Sequence, residues 1–179
     1  KVLQKTPYSF DVSVIELFWP LMTGACLIMA EPDGHKDPLY LSKTIERYKI
    51  VNVHFVPSML AMFLEQVSPE TCRSLRWVFC SGEALSIELQ DQFFKTLDAE
   101  LHNLYGPTEA SVDVSHWVCK KENSLSVVPI GYPIDNVELY ILDEYLNPVP
   151  IGVQGELHIG GVGLAREYLN RPDLTSKAF

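Results

Sequence analysis

At 179 residues the chain suffices for one compact domain or for a piece of something larger, and its 47% hydrophobic and 21% charged residues are those of a globular protein, not a disordered one. A formal net charge of −9 without any Lys/Arg-rich run speaks against a phosphate-backbone binder, so nucleic acid is not an expected ligand, and no apolar run reaches the roughly 20 residues of a membrane span. The four cysteines, Cys26, Cys72, Cys80 and Cys119, are dispersed without CxxC spacing and read as reduced, buried thiols of a cytoplasmic protein, not as a disulfide frame or zinc site.

The chain opens on "KVLQKTPYSF" without Met and stops at "LTSKAF", so a segment of a longer polypeptide is expected. Residues 12–23, "VSVIELFWPLMT", are apolar nearly all round and predict a helix buried on most sides, with Asp11 before it and Gly24 after it as end signals. Asp11, with Ser13 and Glu16 following, also reads as a helix N-cap with a capping-box-like start. "ACLIMA" predicts a short buried strand and "DPLYLSKTIERYK" an amphipathic helix with Leu41, Ile45 and Tyr48 inward. Strand "IVNVHFV", helix "SMLAMFLEQV", strand "LRWVFCSG", helix "SIELQDQFFKTL" and strand "ELHNLYG" repeat the rhythm. Apolar strands alternating with helices indicate an α/β fold, a parallel sheet with helices on both faces. Ligands bind such sheets at the carboxyl ends of the strands, where His54, Ser81, Gly82 and Leu104 to Gly106 fall.

Past residue 122 the texture changes. Short alternating strands divided by Pro-Ile, Asp-Asn, Asn-Pro and Gly turns predict a small β-rich unit, incomplete here, with no helix until "ARE". The expected units are therefore 1–122 and 123–179, with the boundary near "KKENSLS".

The stretch "NLYGPTEAS" crowds an amide, an aromatic ring, a Gly-Pro turn, a hydroxyl and a carboxylate together. Tyr105-Gly106-Pro107 alone reads equally as a plain turn. With its neighbours it offers more. A Tyr face stacks on a purine, an Asn amide carries both donor and acceptor for an adenine edge, and Thr108 and Glu109 supply a hydroxyl for phosphate and a hard carboxylate for Mg²⁺, which prefers one or two carboxylates plus phosphate oxygens.

"NLYGPTE" resembles a motif of the adenylate-forming enzymes, and three further stretches agree in the same order: "SFDVSVIELFWPLMTGA", "SGEALS" and "GELHIGGVGLAREYL". From end to end the chain is similar to part of the adenylation domain of non-ribosomal peptide synthetases. The resemblance implies attack of an amino acid carboxylate on the α-phosphorus of Mg-ATP, giving an aminoacyl adenylate and pyrophosphate. The acyl group then passes to the phosphopantetheine thiol of a peptidyl carrier domain, with neighbouring synthetase domains as further partners. It implies a nucleotide-binding set of Gly82, Glu83, Asn103, Leu104, Tyr105 and Gly106, with Tyr105 on adenine, Asn103 and the Leu104 carbonyl at its exocyclic amine, and Gly82 and Glu83 along the base. Thr108 would touch phosphate and Glu109 would bind Mg²⁺. By the same pattern the phosphate loop, the ribose-binding Asp and the C-terminal subdomain with its catalytic Lys lie outside these residues, so the segment alone is expected to be inactive. Glu167 stands where the family usually has Gly.

The family's side-chain pocket maps onto Asp11, Val12, Ile15, His54, Phe79, Ser81, Leu104, Val112 and Asp113. An Asp at the first position resembles synthetases that take α-amino acids, since its carboxylate pairs with the substrate ammonium. The set is similar to that of serine-activating domains, which more often carry Trp in place of Ile15. His54, Ser81 and Asp113 suit a hydroxyl-bearing side chain, because a site built to hydrogen-bond a hydroxyl leaves its own groups unpaired with an analogue lacking one. Alanine is disfavoured, and threonine is the nearest rival, with Ile15 making room. On plainer readings His54 is a satisfied core histidine, Asp113 a turn residue and Ser81 a loop residue; His35, His102, His116 and His158 are solvated or packing residues, and the three Trp are core. Two other functions stay open: an acyl- or aryl-CoA ligase, and a non-catalytic nucleotide-binding remnant.

Overall fold

The computed structural model describes residues 1–121 and 125–179; the boundary expected at Glu122 lies outside the described residues. A seven-stranded sheet runs in the order β2-β1-β3-β4-β5-β6-β7, with β1 Val2–Gln4, β2 Leu27–Met29, β3 Asn52–Phe55, β4 Trp77–Cys80, β5 Glu100–Tyr105, β6 Ser115–Val118 and β7 Tyr132–Pro133. The first five strands are parallel; β6 and β7 add antiparallel, with Tyr105 opposite Ser115. A separate antiparallel pair, β8 Val137–Leu142 and β9 Glu156–Gly161, follows. The expected α/β architecture with a small β-rich unit is what the chain adopts.

Strand alternation divides the sheet's side chains between its faces. Val53, Phe55, Val78, Cys80 and Leu101 point to one face, where α2 Pro38–Tyr48, α3 Pro57–Gln66 and α4 Ile87–Thr96 deliver Leu41, Ile45, Leu60, Phe63 and Phe93, all of them essentially inaccessible. Local signals fix the helix starts. Pro38 and Pro57 occupy first-turn positions, the Asp37 carboxylate accepts from the Leu39 and Tyr40 amides, and the Ser86 hydroxyl accepts from the Leu89 amide. His54, Phe79 and Leu104 point to the opposite face, toward α1 Val12–Thr23.

Five sequence expectations are corrected, the first at β2, which is an edge strand with Leu27 and Ile28 half-buried and Met29 exposed instead of a buried strand. Helix α1 ends at Gly24 as expected (φ 68°), but it is not buried on most sides: Phe18, Leu21 and Met22 are exposed, so its apolar character marks two faces, only one of which meets the sheet. Cys26 is exposed, unlike Cys72, Cys80 and Cys119. The "ARE" stretch has no regular structure, and the last helix, α5, begins at Pro172, whose fixed φ suits a first helical turn. Finally, Trp19, Trp77 and Trp117 are only half-buried. Strand β1 had no sequence signal, since three residues are too few for a periodicity.

Candidate active site

Glycine and strand ends shape the cleft. The chain leaves β5 at Tyr105, turns through Gly106-Pro107-Thr108-Glu109, and returns to β6, with the Val114 amide donating to the Tyr105 carbonyl at 2.7 Å. The return is so tight that a Cβ on Gly106 would lie 2.2 Å from the Val112 carbonyl oxygen, and Val112 itself takes a left-handed φ of 62°. That turn puts Asp113 inside: it is buried, and neither carboxylate oxygen has a hydrogen-bond partner.

Two cavities meet along this edge. One, of 560 Å³, is lined among others by Asp11, Val12, His54, Ser81, Gly106, Thr108 and Val112. A second, of 230 Å³ and almost wholly apolar, continues beneath it between Val12, Ile15, His54, Phe79 and Leu104. Eight of the nine sequence-mapped pocket residues line one or both cavities; Asp113 is the exception, and it lies close enough to Asp11 to feel its charge. Across the loop a third cavity, of 450 Å³, is lined by Gly82, Glu83, Asn103, Leu104, Tyr105 and Gly106, the full nucleotide set implied by the resemblance.

The electrostatics are set by burial. His54 Nε2 and Ser81 Oγ hydrogen-bond at 2.8 Å. Burial, reinforced by the nearby Lys5 ammonium, lowers the His54 pKa to about 3 and keeps the imidazole neutral. Burial, with the neighbouring Asp11 charge, raises Asp113 to about 6. Asn103 donates through Nδ2 to the Pro129 carbonyl at 2.9 Å and leaves Oδ1 buried without a partner. Such orphans are rare in folded proteins and point to a missing donor.

The capping-box reading of Asp11 does not hold. Its side chain makes no cap bond, while Glu16 instead accepts from the Lys5 amide, the Thr6 amide and the Thr6 hydroxyl at 2.8 to 3.0 Å. The Asp11 carboxylate is thus left for the cleft. Glu83 lines the third cavity, but its carboxylate accepts from the amide and hydroxyl of Ser58, both at 2.9 Å, capping the start of α3 from another segment. His102 and His116 are packing residues: their rings stack and share a 2.8 Å hydrogen bond, with Phe79 on the other side of His102.

Sequence reasoning missed Lys5 and Tyr168. Lys5 lines the larger cavity with its ammonium over the Phe55 ring, and burial lowers its pKa against an opposing pull from Glu16. Tyr168 donates its phenol to Glu109 Oε1 from 59 residues away. A lone Lys after an unrecognised strand and a Tyr in an irregular segment carry no periodic signal.

Among the described residues no group of three His, Cys, Asp or Glu could hold a metal by itself. Glu109 alone suits Mg²⁺ only if phosphate oxygens complete the shell; it lines none of the three cavities itself, whereas its chain neighbour Thr108 lines the larger one.

Comparison with known proteins agrees with this geometry. The model of the family described as AMP-binding enzyme matches residues 1–169. Phosphinothricin tripeptide synthetase PhsB of Streptomyces viridochromogenes is 56% identical over 179 residues, covering 99% of this chain and 15% of that protein. Enterobactin synthase component F of Escherichia coli is 51% identical over 186 residues, covering 99% of this chain and 14% of that protein. The crystal structure of holo-AB3403, a four-domain non-ribosomal peptide synthetase bound to AMP and glycine, superposes with a TM-score of 0.86 at 35% identity, over 97% of this chain and 13% of that one. The chain thus spans about one seventh of the length of these relatives. It belongs to the AMP-binding enzyme family, with adenylation-domain sequence of the kind carried by non-ribosomal peptide synthetases.

Proposed function

We propose that this chain carries the nucleotide and amino-acid sites of an adenylating domain that converts ATP and L-serine to seryl-AMP and pyrophosphate, for loading onto the phosphopantetheine thiol of a peptidyl carrier domain. The observation that carries the reading is the orphaned Asn103 Oδ1, an acceptor in a cavity that Tyr105 also lines. An adenine exocyclic amine is the donor that would satisfy it, with the Tyr105 face as the stacking surface. Toward the other end of the cleft, Asp11 holds the substrate ammonium, and Asp113 accepts the side-chain hydroxyl beside the His54–Ser81 pair. Thr108, which lines the larger cavity, and Glu109, next to it in the chain, are on this reading the groups for the phosphate and the cation. Mg²⁺, when bound through Glu109, neutralises charge on the phosphates. The chain's own contribution is to hold both reactants in line and out of water.

Units 1–122 and 123–179 are, on this reading, an α/β part of the adenylation domain's N-terminal core and an incomplete β-rich subdomain. The segment on its own does not complete a turnover, since the reading requires a phosphate loop and a Lys from elsewhere.

A second substrate is favoured by one observation. The apolar 230 Å³ cavity lined by Ile15 and shared through Val12 and His54 gives space for the methyl group of threonine. The test is amino-acid-dependent ATP–pyrophosphate exchange by the full-length protein with serine, threonine, alanine, glycine and an aryl acid, alongside Glu109→Ala and Asp11→Ala. Serine-led exchange lost in both variants is the expected result. Threonine-led exchange moves the specificity to Ile15, aryl-acid-led exchange indicates the acyl ligase function, and exchange with none leaves the non-catalytic nucleotide binder.

A further inference from the structure

Glu109 sits in a loop whose backbone is stitched to residues far along the chain. The Ala165 amide donates to the Glu109 carbonyl at 2.7 Å, the Ser111 amide donates to the Gly163 carbonyl at 2.8 Å, and Ala110 bridges Leu164. From this second segment the Tyr168 phenol donates to Glu109 Oε1. Tyr168 is itself held in place. Its amide donates to Thr175 Oγ1 at 3.1 Å, that hydroxyl donates to the Arg171 carbonyl at 3.0 Å, and its ring meets Phe179 edge-on at 5.9 Å.

The chemistry of the pair is selective. A carboxylate on a loop has two oxygens and a rotatable side chain, whereas a cation in a metal–nucleotide complex needs one oxygen at one position. A Lys or Arg in place of Tyr168 would fix the carboxylate but cancel its charge. A phenol is neutral at ordinary pH and donates one hydrogen bond, so it orients without neutralising. Oε2 has no hydrogen bond among the described residues.

We propose that Tyr168 is a positioning residue for Glu109, its phenol holding Oε1 so that Oε2 is presented to the divalent cation of the nucleotide complex. This rests on the assignment of Glu109 to the metal in the proposed function, and the experiment separates the two.

Mn²⁺ affinity is measured by electron paramagnetic resonance on the full-length protein saturated with a non-hydrolysable ATP analogue. The wild type is compared with Tyr168→Phe, Glu109→Gln and the double variant. Tyr168→Phe keeps the ring contact with Phe179 and removes only the hydroxyl. It is expected to weaken Mn²⁺ binding about 10-fold, the loss of one hydrogen bond to a charged group. In the Glu109→Gln background the same change is expected to have no further effect on Mn²⁺ affinity. Raising Mg²⁺ should restore pyrophosphate exchange in Tyr168→Phe, with KM for the metal raised and kcat unchanged.

If Glu109→Gln binds Mn²⁺ as the wild type does, the assignment of Glu109 fails and the proposal fails with it. If Glu109→Gln weakens binding and Tyr168→Phe does not, the assignment stands and Tyr168 has no positioning role. An effect of Tyr168→Phe that persists at full size in the Gln background marks general loosening of the segment and overturns the proposal equally.

Discussion

Asp113 and His54 are buried beside the same cleft, and their titrations pull stability in opposite directions. Asp113 rises from an ordinary 3.8 to about 6 in the folded chain, chiefly through burial. Below 3.8 the group is protonated whether the chain is folded or not, and its contribution is fully present. Between 3.8 and about 6 the unfolded chain releases a proton that the folded chain retains, so stability falls as pH rises, and above 6 the loss is complete. His54 falls from 6.5 to about 3. Its contribution is fully present above 6.5 and is lost as pH falls toward 3, because the unfolded chain takes up a proton that the folded one refuses. In the window shared by both groups the two slopes largely cancel.

Replacing one group should therefore unmask the other. Asp113→Asn keeps the shape and removes the titration, leaving His54 to make stability climb with pH by up to roughly 1.4 kcal/mol per unit. Relative to wild type, the variant should gain about 3 kcal/mol between pH 4 and pH 6.5, the free-energy equivalent of the Asp113 shift. His54→Gln should show the reverse, losing ground to the wild type as pH rises through the same window. Urea denaturation of wild type and both variants at half-unit pH steps measures this, and subtracting the wild-type curve removes every other titration. A difference curve for Asp113→Asn that is flat to within about 0.5 kcal/mol would show that Asp113 is solvated or partnered in solution, and would remove the burial argument for its place in the pocket.

Glu83→Ala should cost about 1 kcal/mol in chemical denaturation through the lost cap on α3, and an unchanged midpoint would mean that the Ser58 contacts contribute nothing. Gly106→Ala should weaken AMP binding at least about 10-fold by calorimetry, because the added Cβ meets backbone 2.2 Å away and the Tyr105–Glu109 loop must move; wild-type affinity would refute the tight return. Iodoacetamide followed by peptide mapping should label Cys26 first. Cys72 and Cys119 are buried and pushed up to about 11 and about 12, and Cys80 is pushed up as well, so early labelling at any of these three would contradict their burial.

How legible each part was in the sequence follows from the range over which its cause acts. The alternation of apolar strands with helices is local, and it led correctly to the mostly parallel sheet and to the strand ends, where His54 and Ser81 line one cavity and Tyr105 another. The faces of α1 were not legible in that way. An all-apolar helix has no period to say which side meets the sheet, and Phe18, Leu21 and Met22 turned out to face away from it. Side-chain commitments were the least legible, because they depend on partners far off in the chain. Glu16 resembled a capping residue for its own helix, yet its carboxylate serves the backbone of Lys5 and Thr6. Glu83 lines the third cavity, and nothing in the sequence signalled that its carboxylate also caps α3.

Two side chains of the cleft keep an uncommitted oxygen. With Glu16 turned toward β1 and no cap bond from Asp11, the α1 N-terminus presents an uncommitted carboxylate to the larger cavity. With Asn103 tied to Pro129 by its nitrogen, the amide has a fixed orientation and only its oxygen left to offer. Among the fully buried side-chain atoms beside the cleft, Asn103 Oδ1 at one end and both oxygens of Asp113 toward the other are acceptors without a hydrogen bond. On the proposed function an adenine amine and the hydroxyl of a small amino acid would bring donors to those two places, and an aliphatic acyl chain would bring none to Asp113. The discrimination against such a chain then lies in the cost of leaving buried acceptors unpaired, roughly 1 to 3 kcal/mol for each group.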